Sequence, residues 1–130
     1  MNKCLKHELS VMIRYLHHSF LIFGTQRLQL VQLIRQSAQE GIVHATLLGD
    51  KITALGGYPE LTVSETFAPG GKTVEEVLKE DLKNEVKALE GYKKLLKLVK
   101  DDVALDEMVR TIIGEEQTHV EELEKLLREK

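Results

Sequence analysis

The chain is 130 residues long, with 42 % hydrophobic and 30 % charged residues and a formal net charge of −3. That length supports one domain with one real hydrophobic core. The acidic balance excludes nucleic acid as the main partner, because phosphate binding needs a concentrated basic face and none is present. The single cysteine, Cys4, has no second thiol to pair with, which fits a reducing compartment. No signal peptide is evident, and the apolar run 11–23 is broken by Arg14, His17 and His18 and is too short for a membrane span. A soluble cytoplasmic protein with no membrane partner is expected.

In chain order, a first helix is expected over residues 2–24 and a second over 26–55. The second stops at Gly56-Gly57 with Pro59 beyond, a common helix end. A third helix opens at Thr73, which with Glu76 makes a capping box, and runs to about residue 100. Asp102 is placed to cap a fourth helix reaching the C-terminus. Residues 56–72 form the one long irregular connection. Tight links within each pair make the pairs antiparallel, and the long link crosses between them. The expected fold is all-α: one domain over 1–130, an antiparallel four-helix bundle of two hairpins joined by a long crossover.

Spacing of three then four residues marks the inward stripe of each helix. The first helix gives Leu5, Glu8, Met12, Tyr15, Ser19 and Ile22. The second gives Leu30, Ile34, Ser37, Gly41, His44, Leu48 and Ile52. The third gives Leu78, Leu82, Glu85, Leu89, Tyr92, Leu96 and Val99, and the fourth Leu105, Val109, Ile112, Glu116, His119, Leu123 and Leu126. Glu8, Glu85, Glu116, His44 and His119 thus fall where a bundle expects leucine. A buried carboxylate without compensation costs several kcal/mol or takes up a proton. A shared cation is the common explanation, and oxygen and nitrogen donors of this kind suit iron, manganese or zinc. The halves also echo one another: Glu8 precedes Tyr15 by seven residues and Glu85 precedes Tyr92 by seven. His44 corresponds to His119, and Glu116 has Gly41 as its counterpart.

These residues resemble the bacterioferritin branch of the ferritin-like family. Its pattern is a Glu on each of helices one and three and Glu-x-x-His on each of helices two and four. Glu8 with Tyr15, His44-Ala45 followed by Leu55-Gly-Gly-Tyr-Pro59, the stretch from Val74 to Glu85, and Glu115-Glu116-Gln-Thr-His119 carry the likeness over nearly the whole chain. The resemblance implies Glu8 and His44 on one metal, Glu85 and His119 on another, and Glu116 bridging. Tyr15 matches the family's tyrosine near the helix-one ligand and is read either as a participant in the chemistry or as a plain core aromatic. Three departures stand out. Gly41 occupies the place of the second bridging glutamate. Ile42 stands where bacterioferritin has its haem-binding methionine, so no haem is expected. No residues remain after helix four for the short fifth helix of large ferritin cages, so the likeness speaks for the fold more than for cage storage.

Loss of one carboxylate leaves three against two divalent ions. Either a one-residue π-bulge near Gly41 redirects Glu40 into the site, or the site is reduced, down to a single metal. Solvated positions for the glutamates would be the alternative if the register slipped by one. His7, His17 and His18 are expected at the surface or in subunit contacts, and the lysines of 93–100 on a solvated face. Gly70-Gly71-Lys72-Thr73 lacks the earlier glycine of a phosphate-binding loop.

The expected function is metal binding, one or two irons per chain, with ferroxidase-like oxidation of Fe(II) where two are held. The partners are then metal ions and oxygen or peroxide. Two alternatives are a bundle with a decayed site acting as a structural or binding subunit, and rubrerythrin-like peroxide reduction, for which one cysteine leaves no electron-transfer domain on this chain. Leu16, Phe20 and Phe23 outside the core stripe point to a homo-oligomer, at least a dimer.

Overall fold

A computed structural model describes residues 1–63 and 73–128. It contains four α-helices, α1 (Asn2–Phe20), α2 (Arg27–Ala54), α3 (Val74–Leu98) and α4 (Val103–Leu127), and no strand among the described residues. The chain divides into two compact units, Met1–Val77 and Leu78–Lys130. Most of the expected crossover, residues 64–72 with Gly70, Gly71 and Lys72, lies outside the described residues.

The first unit is built on the α1–α2 hairpin. The first helix ends at Phe20 rather than at Gly24, because Leu21 closes the last turn and Gly24 takes a positive φ of 103° to reverse the chain. Arg27, at the start of α2, donates from Nη1 to the carbonyls of Ser19 (3.1 Å) and Ile22 (2.6 Å). A cation thus satisfies carbonyls at the end of α1, where the helix dipole is negative. The helices run antiparallel, as cross-helix contacts show by moving down α1 while moving up α2: Ser19 with Arg35, then Glu8 with His44. The end of α2 is a Schellman motif. Gly57 N–H donates to Ile52 O at 2.9 Å and Gly56 N–H to Thr53 O at 3.0 Å, with Gly56 at φ 83°. Beyond it, the Asn2 side chain donates to Tyr58 O and accepts from Glu60 N, fastening the outgoing chain to the start of α1.

The first unit also takes in the first turn of α3, where Thr73 Oγ1 accepts from Glu76 N at 3.2 Å, one half of the expected capping box. The second unit holds the rest of α3, from Leu78, and α4. The Asp102 side chain accepts from Leu105 N at 3.0 Å and caps α4. Four residues separate α3 from α4, which forces the two to fold back on each other.

Within each unit the expected stripe is largely buried, led by Leu5, Ile22, Ile34 and Leu48 in the first and Leu89, Tyr92, Val109 and Ile112 in the second. Leu126, in the last turn of α4, is the exception: it is 44 % exposed. Leu16, Phe20 and Phe23 are exposed, and the Arg35 guanidinium lies 6.0 Å from the centre of the Phe20 ring. No helix among the described residues is long and apolar enough to cross a membrane.

Candidate metal centre

All five residues marked by the sequence are withdrawn from solvent. In the first unit Glu8 and His44 are both buried, and the helix crossing brings Glu8 Oε1 within 3.2 Å of His44 Nδ1. Beside an ionised carboxylate the Nδ1 carries a proton and donates it, so the carboxylate fixes both tautomer and ring orientation. Gly41 lies one turn before His44 on the same face. A Cβ built there would stand 3.4 Å from Glu8 Oε2 and 3.7 Å from Met12 Cβ. Position 41 therefore faces the Glu8 carboxylate directly, with ordinary contacts and no clash.

In the second unit the Glu-x-x-His spacing on α4 puts Glu116 and His119 on one face, and α3 presents Glu85 to them. His119 Nδ1 lies 3.6 Å from Glu85 Oε2 and 3.7 Å from Glu116 Oε2. The His119 side chain is 14 % exposed, and both glutamates are buried. Burial pushes the imidazole pKa down. The adjoining Glu116 and Glu85 carboxylates more than reverse this and raise it from 6.5 to about 11. A proton thus sits among two carboxylates where a cation would be favoured still more.

The donor set fits a transition metal. One ligand atom from each of Glu85, Glu116 and His119 lies within 4.8 Å of the others, a span that two coordinate bonds of about 2.0–2.2 Å from one ion can nearly bridge. Carboxylate oxygen with imidazole nitrogen is the mixture that iron, manganese and zinc accept.

Other expectations fare unevenly. Tyr15 is buried on α1, two turns beyond Glu8, and Tyr92 is buried on α3. The α2 helix stays α-helical from Arg27 to Ala54 with no π-bulge, so Glu40 keeps its regular register at a half-buried position one residue before Gly41. His17 is exposed, but His18 is buried, contrary to the surface position expected of it. Its place three residues after Tyr15 and four before Ile22 continues the inward face. Two buried polar residues on α3 were missed: Asp81, fully buried, and Asn84. Asp81 stands three residues after Leu78 and four before Glu85, the spacing that would have marked it. Cys4 is buried, and burial raises its thiol pKa, opposed by the N-terminal charge and aided to a lesser degree by Glu8.

A family model described as Ferritin-like domain matches residues 1–130. No curated protein matches the sequence. Among solved structures, a ferritin-like diiron-carboxylate protein from Bacillus anthracis is 26 % identical, with a TM-score of 0.91 over 98 % of this chain and 91 % of that one. A bacterioferritin from Rhodobacter capsulatus, with a metal-free dinuclear site and haem iron, is 25 % identical, with a TM-score of 0.82 over 97 % of this chain and 79 % of that one. A dodecameric thioferritin from Bacteroides fragilis is similar in fold, at 21 % identity and a TM-score of 0.89 over 97 % of this chain and 80 % of that one. With the family pattern matched from end to end and the four helices superposing on these bundles, the chain belongs to the Ferritin-like domain family and has its four-helix-bundle fold.

Proposed function

We propose that the chain binds iron through Glu8, His44, Glu85, Glu116 and His119 and oxidises Fe(II) with dioxygen. The observation that carries the reading is the close, buried grouping of Glu85, Glu116 and His119. The Glu8–His44 pair repeats the same chemistry in the first unit. In this reading Glu8 and His44 serve one ion, and Glu85, Glu116 and His119 serve another. Bound Fe(II) would supply the electrons, one from each of two ions, which with two protons would reduce dioxygen to hydrogen peroxide. The chain supplies charge and position: its carboxylates offset the ion's charge, the imidazoles give up their Nδ1 protons on binding, and burial limits water around them. Tyr15 is assigned a supporting part at the site, as a buried phenol two turns from Glu8. Manganese or zinc would satisfy the same donors.

Elemental analysis of protein purified without chelators tests this directly, followed by oxygen consumption on anaerobic addition of Fe(II). Bound iron with oxygen uptake is the expected result. Peroxide consumed in preference to oxygen, with an external reductant, would make the protein a peroxide reductase instead. No transition metal retained in any preparation would sink the proposal. That last outcome would leave a binding or structural subunit with a lapsed site, the reading that Gly41 favours.

Self-association belongs to the same proposal. The exposed Leu16, Phe20 and Phe23 leave apolar surface that a second copy would cover. Light scattering at several concentrations should report at least a dimer, and a monomer throughout would refute it.

A further inference from the structure

We infer that Gly41 limits this protein to one tightly held divalent ion per chain, with a second ion bound much more weakly unless a small oxyanion accompanies it. The inference rests on the metal-binding reading above and concerns its stoichiometry.

Three observations carry it. First, the direction of a side chain at position 41 is fixed by the backbone. Its Cβ would lie 3.4 Å from Glu8 Oε2, so a carboxylate there would be aimed at the ligand group that contains Glu8 and His44. The residue that could complete that group has no side chain. Second, α2 is regular through this region, so no bulge turns Glu40 into the missing place. Third, the first group holds one carboxylate, Glu8, and the second holds two, Glu85 and Glu116. Two carboxylates neutralise one divalent ion in the second group. A divalent ion in the first would keep one uncompensated charge in a buried setting, where such an excess is costly. An oxyanion such as phosphate would supply the missing charge and oxygen donors.

Glycine inside a helix also costs about 0.5–1 kcal/mol relative to alanine. Its presence at a position where a Cβ meets ordinary contacts shows that space alone does not require it.

Anaerobic equilibrium titration with Zn(II) or Co(II) reads the stoichiometry without any assay of activity. Calorimetry in phosphate-free buffer should show one tight ion per chain and a second at least about tenfold weaker, as expected for loss of a ligand at a metal site. Inorganic phosphate should strengthen the second step only. Gly41→Glu should convert the weak step into a tight one, while Gly41→Ala, which restores the helix but not the carboxylate, should leave it weak. Circular dichroism confirms that each variant is folded. Two ions bound with equal affinity by the unaltered chain without phosphate, or a second step that Gly41→Glu does not strengthen, would overturn the inference while leaving metal binding intact. No binding of either ion by any form would instead overturn the metal reading and this inference with it.

Discussion

The two units solve the same problem with different materials. In the first, one carboxylate meets one imidazole at hydrogen-bonding distance, Glu8 to His44 at 3.2 Å. In the second, two carboxylates flank one imidazole at 3.6 and 3.7 Å, and the imidazole keeps its proton to about pH 11. The local spacing is the same, since Gly41 precedes His44 by three residues as Glu116 precedes His119. The difference is one side chain. It teaches that helical period places the side chains, whereas the charge collected around each imidazole sets its proton affinity.

The comparison can be broken first at the level of the cores that support the two ligand groups. Leu48→Ala in the first unit and Ile112→Ala in the second each remove a side chain buried to within 1 % of full exposure lost. Each should cost about 2–5 kcal/mol in urea unfolding, from lost transfer energy plus the cavity left behind. A cost under about 1 kcal/mol in either would show that unit to be loosely packed.

Ligand removal comes next. Glu116→Gln and His119→Ala should each weaken Zn(II) binding by at least about 10–100-fold. The same titration on His44→Ala should show a smaller loss in the first binding step. An equal loss from His44→Ala would mean that the richer carboxylate set of the second unit confers no advantage.

The proton on His119 gives a third test. Its folded-state pKa lies above the unfolded value of 6.5, so its contribution to the metal-free fold is complete below about 6.5 and is lost as pH rises through about 11. Stability of the metal-free protein should therefore fall with rising pH across that window, and His119→Gln should flatten this slope. Adding Zn(II) at pH 8 should release a proton that the variant does not release. Stability independent of pH between 7 and 10 in the unaltered chain would remove the charge from His119.

The smallest effects lie in the helices themselves. Asp102→Ala should cost about 1 kcal/mol by leaving Leu105 N–H without its cap. Gly41→Ala should stabilise by up to about 1 kcal/mol, since α2 is regular there and the new methyl meets contacts of 3.4 and 3.7 Å. A loss of stability would mean that Glu8 needs the space.

Much of this was legible in the sequence because helices convert spacing into direction. A carboxylate at Glu8, Glu85 or Glu116 interrupts an apolar stripe, and such an interruption is visible in the linear pattern. His18 and Asp81 were not recognised. Each lies on the broad flank of a stripe, where a polar residue looks solvated until neighbouring helices are in place to cover it. The end of α1 was set four residues too late because apolar Leu21, Ile22 and Phe23 continue the pattern. The turn at Gly24 and the capping by Arg27 stop the helix earlier.

The sequence by itself determined four helices, their caps at Thr73 and Asp102, the glycine stop after α2, and most of the residues that turn inward, because these depend on periodicity and on hydrogen bonds between near neighbours. Tertiary structure decided how closely Glu8 approaches His44, that Glu85 joins Glu116 at His119, and that position 41 looks onto a carboxylate. Those distances join residues tens of positions apart, and only the packing of one helix on another brings their charges close enough to shift a proton or attract a metal.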